Sequence, residues 1–195
     1  MVAKAHPWIS RAVSAGWKTR LDRLGRDVCI GIAAAATERV LPLFSNWAAD
    51  VDPALTGASR EALDAVWRVL QGVGEPADFR RIGERLGSHL PAAEEGRPGV
   101  AAARASLMDA LAAATNSAHH EHVGEALWSS FESATAWVRT ASADGEELER
   151  AEDAAAEAEL DFQEHLIAVS ELQGPLTRAQ AMELSRLHPP RPSHT

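Results

Sequence analysis

The chain has 195 residues, of which 46% are hydrophobic and 24% charged, with a formal net charge of -9. That length and balance fit one domain with its own core and exclude wholesale disorder. The acidic excess argues against nucleic acid as a partner, because phosphate contacts need a basic footprint. A single cysteine, Cys29, excludes an internal disulfide and a cysteine-rich metal cage.

No run of about 18 apolar residues stands out as a bilayer span. The opening residues, with Lys4, His6, Pro7 and Arg11, lack the apolar core of a secretion signal. The expectation is a cytoplasmic protein without membrane contact.

In chain order, a short helix or turn is expected around residues 8–13, then a first long helix over 17–49. Its apolar residues Leu21, Leu24, Val28, Ile32, Ala36, Val40, Leu43 and Trp47 recur every three or four positions. Pro42 lies inside this pattern and predicts a kink or a stop and restart. Asp50, Asp52, Pro53 and Gly57 read as a connection, and Ser59 as the N-cap of a helix carrying Leu63, Val66, Trp67 and Leu70, closed by Gly72 and Gly74. A shorter helix follows Pro76. Residues 91–99 read as a loop, 100–115 as a helix, and the polar cluster 116–121 as the turn before another helix carrying Val123, Leu127, Phe131 and Val138.

A long acidic helix is predicted over 144–173, with Asp144 and Glu147 as a capping box and Leu148, Ala151, Ala155, Ala158, Phe162, His165, Val169 and Leu172 as its seam. Thr177 and Gln180 start a last short helix, and the prolines after residue 188 predict an extended tail. No stretch alternates with period two. The fold class is therefore all-α, a single compact bundle of about six to eight helices over residues 1–187 with the tail at 188–195. The many alanines predict close packing through thin seams.

Charge is laid out unevenly. Residues 144–164 hold ten acids against one base, whereas residues 1–40 hold seven bases against three acids. The acids Glu149, Glu152, Asp153, Glu157 and Glu159 have three readings. They form a solvated helix face, a docking surface for a basic partner, or an internal partner for the basic first helix.

Three stretches carry a family resemblance: Arg20, Leu21, Asp22, Arg23, Leu24; then Glu38, Arg39, Val40, Leu41, Pro42; then the run from Leu63 through Trp67 to Leu70. In order and spacing they resemble the YjaG-like proteins, a family of unassigned activity. The likeness is best over residues 20–70 and continues in register through 106–172. It implies a small, cytoplasmic, all-helical bacterial protein and brings no catalytic residues. On physical grounds, Glu38 and Arg39 read as a surface ion pair beside a structural kink, or as the edge of a kinked groove, and Arg39 can pair with an acid on a neighbouring helix.

Chemical candidates are few. His119, His120, Glu121 and His122 bring imidazoles and a carboxylate together, and His119 and His122 would share a helix face if that segment were helical. Adjacent His119 and His120 are expected to point apart, in a solvated turn. No histidine has an acid three residues before it, so the di-iron signature is missing, as are His-Glu-x-x-His and Gly-x-Ser-x-Gly. Cys29 reads as a buried apolar filler rather than a reactive thiol. His165 reads as a locally paired seam residue rather than a catalytic base. Trp47 and Trp67 are expected in the core, and Trp8, Trp17 and Trp137 partly exposed.

The resulting expectation is a non-enzymatic protein-interaction module without a cofactor, using an acidic face or groove to bind a basic protein or a second copy of itself. The alternatives are an immunity or antitoxin protein that neutralises a basic toxin, and a metal-binding protein acting through His119 and His122.

Overall fold

Alanine lets helices approach closely, because a methyl group is all that separates the facing backbones, and this chain places its alanines at the centre. The computed structural model describes residues 6–51, 53–73, 76–87, 98–116, 118–141 and 145–187; among them are nine helices and no strand. In chain order these are α1 (Pro7–Ser14), α2 (Trp17–Leu21), α3 (Arg26–Val51), α4 (Pro53–Leu70), α5 (Pro76–Gly87), α6 (Pro98–Thr115), α7 (His119–Ala141), α8 (Glu146–Gln173) and α9 (Arg178–Leu187). The expected tail at 188–195, the loop at 91–97 and Asp144 lie outside the described residues.

α3 is the central helix, packed by α4, α6 and α7 along its length and touched by α8 and α9. Ala33, Ala34, Ala35 and Ala36 are wholly buried, and a Cβ built on Gly31 would sit 3.4 Å from the backbone nitrogen of Leu176. Around this spine Ile30, Ile32, Leu41, Phe44, Leu63, Leu107, Leu127 and Phe162 form one core. Thr37 donates to the carbonyl of Ser106 at 3.0 Å, and Ser106 donates to that of Ala126 at 3.2 Å, which ties α3, α6 and α7 together inside it.

Several boundaries differ from the sequence reading. The expected first long helix is two, because a turn over residues 22–25, ending in Gly25, separates α2 from α3. α3 continues through Pro42 without stopping, and Pro42 itself is exposed, so the lost backbone donor sits on the solvent side. α4 begins at Pro53, where proline suits the first turn. Ser59 is therefore not a cap but a buried residue donating to the Thr56 carbonyl at 2.9 Å. Gly72, at φ 72, closes α4 as expected. α8 starts after Gly145, while the capping role expected of Asp144 falls outside the described residues, and α9 starts on Thr177, which exchanges hydrogen bonds with Gln180.

Arg26–Asp50 holds an 18-residue window with a mean hydropathy of 1.4, the length and composition of a bilayer-crossing helix and contrary to the expectation that no such run exists; 72% of that window is buried inside the bundle. Two charged residues in this same helix, Glu38 and Arg39, face neighbouring helices. Glu38 accepts from Arg60 at 2.7 Å, from the Trp67 indole at 3.2 Å and from Arg178 at 3.2 Å, and Arg178 also reaches Asp64 at 2.7 Å. Burial opposes the charge on Arg178, yet its bonds to Glu38 and the nearby carboxylates hold its pKa above the ordinary guanidinium value.

Arg39 is not at the surface. Its side chain is 3% exposed and its Nε donates to Glu159, which is 0% exposed. The guanidinium lies 4.5 Å from the centre of the Phe162 ring. The other oxygen of Glu159 accepts from Ser130 at 2.7 Å and Gln163 at 3.0 Å. Removing one partner of such a pair strands a buried charge, so Arg39→Ala should cost about 3–5 kcal/mol. In urea denaturation, Arg39→Met combined with Glu159→Gln should recover most of that loss; a double variant as unstable as the single one would show that the pair's charge is not what the fold needs.

Candidate functional site

α1 and α2 form a small unit held onto α8 by polar tips. Pro7 starts α1, and Gly16, at φ 65, supplies the left-handed backbone that turns the chain into α2. The Trp8 indole donates to Gln163 at 2.9 Å, and the Trp17 indole donates to Glu164. Outside these, Arg11 pairs with Glu157 at 2.8 Å and Asp161 at 3.5 Å, and Arg20 pairs with Glu164 and, through two bonds, with Glu171. Trp17 is thus buried rather than partly exposed, while Trp8 is half-buried and Trp47 and Trp67 are core as expected. The side chain of Trp137 lies outside the described residues.

On its other side this unit faces α7 across a cleft of about 760 Å³. Trp8, Trp17, Leu21, Leu127 and Trp128 give it an apolar lining, and Ile9 and Val13, 49% and 75% exposed, stand at its mouth. The Trp8 ring meets those of Trp17 and Trp128 edge-on, with centroids 5.7 and 5.2 Å apart. Asp22, Glu121 and Glu125 also border it, all exposed; Lys18 among them is paired with Asp22 at 2.7 Å.

The acidic candidates divide. Glu149 and Asp153 are exposed, Glu152 is half-buried, Glu157 is paired with Arg11, and Glu159 is buried against Arg39 and unavailable to a partner. The buried stripe of α8 is Ala155, Ala156, Glu159, Leu160, Phe162, Gln163, Leu166, Ile167 and Ser170, rotated from the expected seam, and Leu172 is 86% exposed. α8 packs mainly on α7 rather than along α3.

The histidine cluster is helical, not a turn, since α7 begins at His119. Its rings do not point apart: those of His119 and His120 lie 4.0 Å apart. His122 turns elsewhere, to Asp109 at 3.6 Å and Asn116 at 3.1 Å. Burial raises the Asp109 carboxyl, against the lowering effect of His122. The third member of the His119 and His120 cluster is Cys29, 91 positions before His120 and 3.5 Å from its Nδ1. Cys29 is buried, as expected, and burial together with the charge of Asp22 pushes its thiol up to about 11. Nothing in the sequence pattern joins these residues; only the packing of α3 against the start of α7 does.

No protein-family model, no curated protein and no solved structure matches this chain. The site is therefore read on its own geometry.

The Arg20 anchor titrates in a defined direction. Its hydrogen bonds to Glu171 lower that carboxyl below the ordinary glutamate value, and hold Arg20 above its own. A lowered carboxyl stabilises the fold above its unfolded pKa and stops doing so as pH falls through the folded one. Arg20→Gln should therefore cost about 1 kcal/mol at neutral pH, with the gap from the parent protein closing in acid. Urea midpoints at neutral pH and below the carboxylate range check this; a gap constant with pH would reject it.

Proposed function

We propose that this protein is a non-enzymatic interaction module that takes an amphipathic helix of a partner protein, one with basic flanks, into the cleft between α1, α2 and α7. The observation that carries the reading is the cleft itself: an apolar lining with Ile9 and Val13 exposed at its mouth, bordered by Asp22, Glu121 and Glu125. Aromatic rings aligned in a groove suit the apolar face of a helix, and the carboxylates suit lysine and arginine beside that face. The groove is favoured over the face of α8 because Glu157, Glu159, Asp161, Glu164 and Glu171 are engaged within the fold.

The same proposal places the protein in the cytoplasm. Kinship with the YjaG-like proteins is part of it, resting on the motifs at Arg20, Glu38 and Trp67. An immunity or antitoxin role is the form the reading takes if the docked helix belongs to a basic toxin.

Capture from the native cell separates groove from face. The parent protein and Glu149→Lys/Asp153→Lys should recover the same partner. Ile9→Asp/Val13→Asp and Glu121→Lys/Glu125→Lys should each weaken it by about tenfold or more, equivalent to about 1.4 kcal/mol. A synthetic peptide of the partner's basic amphipathic segment should reproduce that order in titration. Loss confined to the Glu149 and Asp153 variant would move the surface to α8, and identical capture by all four would reject the groove.

A further inference from the structure

Where α3 passes the first turn of α7, Cys29, His119 and His120 each offer one ligand atom, and these atoms lie within 4.8 Å of one another. Cys29 is buried and the two histidines are half-buried, so the donors are shielded without being sealed off. One thiolate and two imidazoles are a borderline-soft donor set, suited to zinc rather than to magnesium or calcium. The spacing fits as well. With metal bonds of about 2.3 Å to sulfur and about 2.0 Å to nitrogen, neighbouring corners of a tetrahedron are about 3.5 Å apart. Cys29 Sγ and His120 Nδ1 are 3.5 Å apart.

We propose that Cys29, His119 and His120 bind one zinc ion, leaving the fourth place to water or to a group entering the cleft that His120 lines. The inference is independent of the docking reading, since it uses no residue at the cleft's mouth. It also differs from a site on His119 and His122, because His122 is drawn to Asp109 and Asn116.

Binding exchanges one proton for the metal: the S–H bond of Cys29 breaks, a sulfur–zinc bond forms, and the proton leaves to solvent. Both imidazoles donate lone pairs as neutral rings. The thiol now lies 3.8 and 3.9 Å from the carbonyls of Leu21 and Leu24, contacts that its proton gives up. The groups facing it are Asp22 at the end of α2 and the two histidines of α7; Arg26, on α3 itself, turns to the Ala114 carbonyl.

Cobalt(II), titrated into the full chain as the probe, should give a sulfur-to-cobalt charge-transfer band that saturates at one equivalent and is displaced by zinc. Cys29→Ala should abolish the band. His119→Ala and His120→Ala should each weaken binding at least about tenfold, since even outer-shell changes commonly cost that much, whereas His122→Ala should leave it unchanged. At one zinc concentration, the melting temperature of the parent protein should rise by more than that of His120→Ala. Should Cys29→Ala fail to fold, His120→Ala, with its helicity checked by circular dichroism, carries the test. A sulfur band that survives loss of both His119 and His120, no band at millimolar cobalt, or a sulfur-free spectrum lost in His122→Ala would each overturn the assignment.

Discussion

Arg39 and Glu159 place two opposite charges where water does not reach, and the rest of the bundle is arranged around keeping them satisfied. A buried pair costs several kcal/mol per ion in lost hydration, recovered only if every remaining lone pair and proton finds a partner. Here Ser130 of α7 and Gln163 of α8 complete Glu159, Phe162 lies against the guanidinium, and the Ser185 carbonyl of α9 accepts from it at 3.4 Å. Four helices must therefore dock in one relative arrangement. Alanine-rich helices need such a device, because small side chains slide past one another with little change in buried area. A charge pair does not tolerate sliding.

The helical class, the bounds of α9 and the Gly72 stop were legible from periodicity and capping, which are local properties. The face of α8 was not, and the reason is specific. Its buried stripe contains Glu159, Gln163 and Ser170, so a search for apolar spacing settled on a neighbouring stripe ending in Leu172, which is exposed. A buried polar residue is intelligible only with its partner in view, and Arg39 is 120 positions away from Glu159. Residues 53–58 were misread for a simpler reason: proline and glycine look like a connection, yet proline at a helix start loses no bond that the helix would have made.

The same limit applies to the candidate site. The histidines at 119, 120 and 122 were visible as a cluster, but which of them lie together depended on Cys29 and Asp109, residues on other helices. The cleft was invisible in sequence, because its lining comes from three separate helices, α1, α2 and α7, and only their packing brings Trp8, Leu21 and Trp128 to one place. The acidic excess was plain, and its main use was not: the bases of the opening residues, Arg11, Arg20 and Arg39, answer five of the acids on α8.

Gln163 sits between two of these systems. Its carbonyl oxygen accepts from the Trp8 indole, and its amide donates both to the Leu127 carbonyl and to Glu159. One side chain thus joins the wall of the cleft to the buried charge pair. Trp8 cannot swing far without turning the amide, and the amide cannot turn without removing a donor from a buried carboxylate. The hold on Trp8 is therefore part of the hydrogen bonding of the bundle's centre rather than of α1 alone, and slow amide exchange deep in α3 becomes a reporter for the integrity of that link.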